Sequence, residues 1–292
     1  MGKSPDGLLL LDKPIGLTSH TAVRKAARLL GAEKAGHAGT LDPMASGLML
    51  VGLGKATRLL EYLVGCSKTY RAVIRLGMTT DTLDQEGAVT SEKEVGDISA
   101  EEVEKALAPF RGRISQIPPV YSAIKSEGVP LYRRARRGEE VTPPPREVEI
   151  LRLDLLEWEN PFLKIEVECS SGTYIRSLAR DIGEALRTGG VLWELRRLSC
   201  GPFRVVDAVT FDDLAERYEE SYGAILEPSK MVLGLPKIAV SEAELPALGK
   251  GQSIKAGEIP QSSPVALIGP DGNLVAIADA EGQTLSPRKV FL

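Results

Sequence analysis

The sequence predicts an α+β protein with one large domain and a small β-rich module behind it. Three features carry that prediction. Strand-like segments alternate apolar with polar residues, as Ile165, Val167 and Cys169 do against Lys164, Glu166 and Glu168, the pattern of an antiparallel sheet covered on one face. Helical periodicity interrupts these segments, most clearly where Ser99, Glu101 and Glu102 precede Val103, Ala106, Leu107 and Phe110; the serine can cap and the acids suit a first turn. Beyond a proline-bounded junction at 228–236, short apolar runs flank a Pro-Asp-Gly-Asn turn at 270–273, which reads as a compact β module of about 55 residues. A chain of 292 residues can bury a core large enough for such a pair.

In chain order, residues 7–11 form a buried strand that ends at the turn signal Asp12-Lys13-Pro14-Ile15-Gly16. Thr18 or Ser19 can cap the next helix, on which Val23, Ala26 and Leu30 share a face. Residues 48–51 are a second strand, 55–63 a short helix and 68–76 a stronger strand. In the last, Tyr70, Ala72, Ile74 and Leu76 point one way and Arg71 and Arg75 the other. Strands at 148–156 and 164–169 are joined through Asn160-Pro161, and a helix runs through 177–187 with Ile175, Leu178, Ile182 and Leu186 on one face. The acidic stretch 207–222 reads as a solvated helical cover.

Composition removes several function classes. The 36 basic and 40 acidic residues leave a net charge of -4, which argues against a nucleic-acid partner on average while leaving room for local patches. Cys66, Cys169 and Cys200 are scattered, with no CxxC pair, so neither a disulfide framework nor a zinc site is expected. His20 and His37 are the only histidines, too few for a histidine-rich metal centre. The first residues do not form a secretory leader, and no apolar run is long enough to span a membrane. The expectation is an intracellular, cytoplasmic protein. No dinucleotide or phosphate-loop glycine motif is present, and the acids of 79–87 lack the calcium-loop pattern.

What chemistry remains centres on Gly36-His37-Ala38-Gly39-Thr40-Leu41-Asp42-Pro43-Met44-Ala45-Ser46-Gly47. Three glycines and a proline shape this run around one carboxylate, Asp42. Asp42 is either a reagent or a cap for the following backbone. Lys13 is either a phosphate contact or a surface lysine. Tyr70 either joins the core or stands in a cleft. Six basic residues against three acids in 125–146 either track a phosphate backbone or form a solvated face. Arg176 sits near a helix start, where negative charge is preferred, so it calls for an anion: Asp42, Asp84 or a substrate phosphate. These residues alone describe either a cofactor-free enzyme acting on a polyanion or a nucleic-acid-binding protein without chemistry.

The ordered motifs resemble the bacterial TruB family of tRNA pseudouridine-55 synthases. The resemblance runs through Leu11-Asp12-Lys13-Pro14-Ile15-Gly16-Leu17-Thr18-Ser19, the Gly36-to-Gly47 run, Lys68-Thr69-Tyr70 and Thr80-Asp81-Thr82. It continues through Tyr121-Ser122-Ala123-Ile124-Lys125, Gly172-Thr173-Tyr174-Ile175-Arg176 and Leu195-Arg196-Arg197-Leu198. It implies a pseudouridine-synthase fold with a mixed, mainly antiparallel central sheet flanked by helices. The catalytic domain, with a tRNA-binding insertion, would occupy residues 1–228, and a PUA-type RNA-binding domain 229–292. It further implies that Asp42 is catalytic, that Tyr70 stacks on the target base, that Arg176 pairs with Asp42 and that Asp84 supports the charge network. Leu195 would line the uracil pocket, His37 would help hold a flipped-out RNA loop, and Tyr174 and Lys13 would belong to the substrate-binding surround. The implied partner is the tRNA T arm, bound by a monomer without metal or cofactor. A noncatalytic tRNA-binding or tRNA-folding protein on the same scaffold is the alternative.

Overall fold

A computed structural model describes residues 5–121, 125–126, 129–130, 134, 137, 143–216, 224–257, 260 and 262–292. Most of the basic 125–146 stretch and the second half of the 207–222 cover therefore lie outside the described residues.

The body of the molecule is a ten-stranded sheet built from β1 (Gly7–Lys13), β2 (Ala35–Ala38), β3 (Ser46–Leu53), β4 (Lys68–Leu76), β5 (Gly112–Gln116), β6 (Arg146–Glu159), β7 (Phe162–Cys169), β8 (Gly190–Cys200), β9 (Phe203–Arg204) and β10 (Ile225–Leu226). Its main path runs β10-β1-β3-β8-β4-β7-β6-β5, with β2 on β3 and β9 on β8. The β3–β8 pair is parallel and the other pairings within this sheet are antiparallel, so the expected mixed, mainly antiparallel sheet is present. The one parallel joint lies beside Asp42: Gly47 of β3 sits opposite Arg197 of β8.

Helices α1 (Ser19–Leu29), α2 (Ala100–Leu107), α3 (Ile175–Ala185) and α4 (Phe211–Glu216) cover one face. Ala22, Val23 and Ala26 of α1, Val103 and Leu107 of α2, and Leu178 and Ile182 of α3 pack there against Leu9, Leu11, Ala72, Ile74, Ile165 and Val167. Thr18, not Ser19, caps α1 by accepting from the Thr21 N–H. Ser99 caps α2 as expected, and Glu102 completes a capping box with it.

The opposite face of β1 and β3 is covered differently. Leu8, Leu10, Leu48 and Leu50 share a core with Met231, Val232, Ala266, Leu274 and Ile277. The last three come from a second, five-stranded sheet of β11 (Lys237–Ala239), β12 (Ile254–Lys255), β13 (Val265–Ile268), β14 (Leu274–Glu281) and β15 (Thr284–Val290), in the order β11-β13-β14-β15-β12. The small module thus closes one side of the large sheet, and Lys55 Nζ and Arg58 Nη1 tie it further by donating to the carbonyls of Leu292 and Val290.

Two features depart from the sequence reading. The Gly36-to-Gly47 run is not one loop: its first residues belong to β2 and its last two open β3. The eleven-residue β8 occupies the middle of the sheet although Glu194, Arg196, Arg197 and Ser199 break its apolar pattern. The two arginines have partners within the fold: Arg196 forks onto the Asp12 carboxylate, and Arg197 is buried on backbone carbonyls. Among the described residues, no helix is long and apolar enough to cross a membrane.

Candidate active site

Asp42 stands in the turn between β2 and β3, and three neighbours fix that turn. Gly47 follows with φ +102°, and a Cβ placed on it would come 2.3 Å from the Arg197 carbonyl oxygen, so only glycine lets β3 run this close to β8. The Ser19 hydroxyl brackets the residue before Asp42, donating to the Leu41 carbonyl and accepting from the Leu41 N–H, each at 2.8 Å. The Pro43 carbonyl accepts from the Gly16 N–H at 2.8 Å and from Lys13 Nζ at 3.5 Å. The Asp12-to-Gly16 turn and the Asp42 turn are therefore one unit.

Lys13 is fully buried, which removes the surface-lysine reading. Its ammonium also donates to the carbonyls of Pro14 at 2.9 Å and Leu17 at 2.8 Å. Burial lowers its pKa to about 8, with the Asp42 charge acting in the opposite direction. The protonated amine is held by backbone oxygens and pins the turn from beneath.

Arg176 meets Asp42 with a fork: Nε lies 3.0 Å from Oδ2 and Nη2 donates to Oδ1 at 3.4 Å. Nη1 lies 3.4 Å from Asp84 Oδ2 and donates to the Thr82 carbonyl at 3.0 Å; Nη2 also reaches the Tyr121 carbonyl at 3.0 Å. The anion expected for this cation is thus both Asp42 and Asp84. Asp84 accepts from the Thr82 hydroxyl at 2.6 Å and the Glu86 N–H at 3.1 Å. Its turn is docked on β8 through Gln85 N–H to the Leu192 carbonyl and Leu192 N–H to the Leu83 carbonyl.

The electrostatics of Asp42 run opposite to the simplest expectation. Arg176 does lower its proton affinity, but burial outweighs this and Asp84 reinforces the burial, so the carboxyl titrates above its ordinary value. A carboxylate of raised pKa is a stronger base and nucleophile than a solvated one.

Tyr70 and Leu195 are buried in the cluster that contains Leu41 and Met44, the apolar neighbours of Asp42. Burial raises the Tyr70 pKa, opposed by adjacent Arg197. Tyr70 is thus a member of the core, opposite Arg197 of β8 in the register of the sheet. His37 lies on β2; its Nδ1 is buried with no hydrogen-bond partner among the described residues, and burial first, then Arg197, lowers its pKa. Tyr174 is the N-cap of α3, two residues before Arg176. Sequence reasoning missed Ser19 as a bracket, Gln116 and the buried Arg197. Ser19 and Arg197 lie within quoted motifs, but all three act largely on backbone atoms, so residue type does not disclose their partners; the glycine at 47 is the one trace of the close approach to β8.

Known proteins resemble this chain along nearly its whole length. A family model described as TruB family pseudouridylate synthase, N-terminal domain, matches residues 27–175. A model of the tRNA pseudouridylate synthase B C-terminal domain matches residues 176–233. A tRNA pseudouridine synthase B from Xanthomonas euvesicatoria pv. vesicatoria (strain 85-10) is 43% identical over 290 residues, covering 98% of this chain and 94% of the relative. Its counterpart from Pseudomonas fluorescens (strain Pf0-1) is 42% identical over 295 residues, covering 99% and 96%. Among solved structures, a chain of a Cbf5-Nop10-Gar1 complex superposes with TM-score 0.75 at 30% identity, covering 98% of this chain and 85% of that one. A chain of an H/ACA RNP bound to a substrate RNA containing 2'-deoxyuridine gives TM-score 0.74 at 28% identity, with the same coverage. With sequence similarity along nearly its whole length and the two family models meeting between Ile175 and Arg176, the chain belongs to the TruB family of pseudouridylate synthases.

Proposed function

We propose that this chain converts uridine to pseudouridine at position 55 in the T loop of tRNA, with Asp42 as the catalytic carboxylate. The pseudouridylate-synthase activity on tRNA follows from the family; the position and the residue roles are our reading. The observation that carries it is the fork between Arg176 and a partly exposed Asp42 set among buried Lys13, Leu41, Met44 and Asp84.

The reaction is an isomerisation. The N1–C1′ bond breaks, the uracil turns, C5 bonds to C1′, C5 loses its proton and N1 gains one. Nothing is oxidised and no water is consumed, so one basic carboxylate with a positioned cation is a sufficient reagent set. The target base must first leave its stack, at a cost of a few kcal/mol that is smallest in an irregular loop. Tyr70 offers a ring for the extruded base, Leu195 an apolar wall, and the raised proton affinity of Asp42 the basicity for attack on the ribosyl or base carbon or for proton abstraction. Asp84 keeps Arg176 in place. His37, Tyr174 and the turn held by Lys13 form the surround. The C-terminal five-stranded sheet serves as a PUA-type RNA-binding module beyond residue 228, the basic 125–146 stretch contacts the T arm, and the enzyme works as a cytoplasmic monomer.

The test is single-turnover conversion of a T-arm RNA, with pseudouridine mapped by base-specific chemistry. Wild type converts the expected uridine, and Asp42→Asn lowers the rate at least about a thousandfold while retaining RNA binding. RNA binding without product from wild type favours the noncatalytic alternative; an active Asp42→Asn removes Asp42 from the chemistry.

A further inference from the structure

The position of Arg176 is not explained by its own helix. The first turn of α3 contains no acid, and the side chain of its N-cap residue, Tyr174, makes no capping hydrogen bond to the helix. A cation there is opposed by the helix dipole, so whatever aims the guanidinium must come from outside α3.

Gln116 supplies that constraint. It ends β5, is 1% exposed, and its carboxamide pairs with both backbone groups of Tyr174. Its Oε1 accepts from the Tyr174 N–H at 2.8 Å, and its Nε2 donates to the Tyr174 carbonyl at 3.1 Å. The chain just after Gln116 reinforces the contact. The Ile117 carbonyl accepts from the Ser177 hydroxyl at 2.8 Å and from Arg180 Nη2 at 3.2 Å, and the Tyr121 carbonyl accepts from Arg176 itself. Of these contacts from the β5 side, Gln116 alone uses a side chain. The device matches the one on the other half of the pair, where buried Ser19 binds both backbone groups of Leu41, next to Asp42. Each partner of the ion pair thus follows a backbone unit gripped on both its polar groups by one buried side chain.

We infer that Gln116 is a positioning residue for the reaction: its carboxamide fixes the first turn of α3 so that Arg176 meets Asp42 and Asp84 together. This rests on the reading of Asp42 as the catalytic carboxylate. Misplacing a reacting or orienting group by an ångström costs up to a hundredfold in rate, whereas a merely structural amide affects only stability.

The test uses Gln116→Met, which keeps length and removes both hydrogen bonds, in the full chain on T-arm RNA, at temperatures where unfolding measurements show it folded. The expected result is a fall in kcat of roughly tenfold or more, with KM little changed. The acid limb of the kcat profile also moves to higher pH. The charged groups facing Asp42 are Arg176 from α3, Asp84 from the 80–87 turn and Lys13 from β1; a displaced Arg176 leaves burial and Asp84 opposed by Lys13 alone. A wild-type kcat, or a slower enzyme with an unmoved limb, overturns the inference. If Gln116→Met does not fold, Gln116→Glu, which retains the acceptor for the Tyr174 N–H, decides it: lower kcat at unchanged KM supports the role and wild-type kcat overturns it. Asp42→Asn is run alongside. Activity there defeats the reading of Asp42, whereas an inactive Asp42→Asn beside a fully active Gln116 variant defeats only this inference.

Discussion

Asp42 and Asp84 present a carboxylate each to the same guanidinium, from two turns that differ in one respect. The Asp42 side chain is 35% exposed and the Asp84 side chain 6%. Asp84 spends its oxygens inside the protein, on the Thr82 hydroxyl, the Glu86 N–H and Arg176. Asp42 has Arg176 as its side-chain hydrogen-bonding partner, and its turn is held by backbone bonds and by Gly47 instead of by its carboxylate. A carboxylate whose acceptor sites are filled is an anchor; one held by a single cation and otherwise open retains lone pairs for a substrate. Sharing Arg176 makes the anchor the reference point for Asp42, the proposed reagent.

The sharpest way to break this comparison is Arg176→Lys. An ammonium cannot reproduce the fork, and as a point charge it cannot serve both carboxylates at these distances. The expected loss is on the order of a hundredfold in single-turnover rate. Stability should fall by about 3 kcal/mol, because Asp84 is left buried beside a poorer partner; urea unfolding checks this. Near-wild-type values in both measurements would mean that the two acids do not depend on a common, oriented cation.

Asp84→Asn acts on the anchor alone and should cost less, about tenfold, equivalent to one charged hydrogen bond. The amide oxygen still accepts from Thr82 and Glu86. The sign of its pH effect is more telling than its size. The Asp84 charge raises the Asp42 pKa, so removing it lowers that pKa and moves the acid limb of the kcat profile to lower pH, opposite to the shift expected for Gln116→Met. An Asp84→Asn limb that moves upward would reassign the two acids.

The asymmetry between the turns also shows what a sequence can disclose. The strand at Lys68–Leu76 was readable because alternate residues face core and solvent, and Arg176 called for an anion because a cation begins its helix without an acid nearby. Strand β8 was not readable, since the partner that makes its arginine at 196 acceptable, Asp12, lies far away in sequence. The surface-lysine reading of Lys13 fails for a related reason: the side chain is buried on the carbonyls of Pro14, Leu17 and Pro43, and any residue type offers a carbonyl. The same holds for Ser19 and Gln116. Motifs singled out Asp42, the proposed reagent, and its partner Arg176, while the contacts of Lys13, Ser19 and Gln116 are to backbone atoms and became visible only in the fold.

The smallest expected effect concerns stability at Asp42 itself. Its folded-state pKa is raised, first by burial, so the native state holds that proton more tightly than the unfolded chain does. Stability therefore declines as pH rises from the ordinary carboxylate value through the folded pKa, and the ionised group stays a net burden at neutral pH. Asp42→Asn keeps the shape and an acceptor for Arg176 but removes the burden. It should melt slightly above wild type at neutral pH, with the difference vanishing as pH falls below the ordinary carboxylate range, where the wild-type side chain is also neutral. Thermal unfolding of both proteins at the two pH extremes reads this directly. A lower melting temperature for Asp42→Asn at neutral pH would place Asp42 with Asp84 as an anchor, because a structural carboxylate stabilises the fold when charged and a poised reagent is tolerated at a cost.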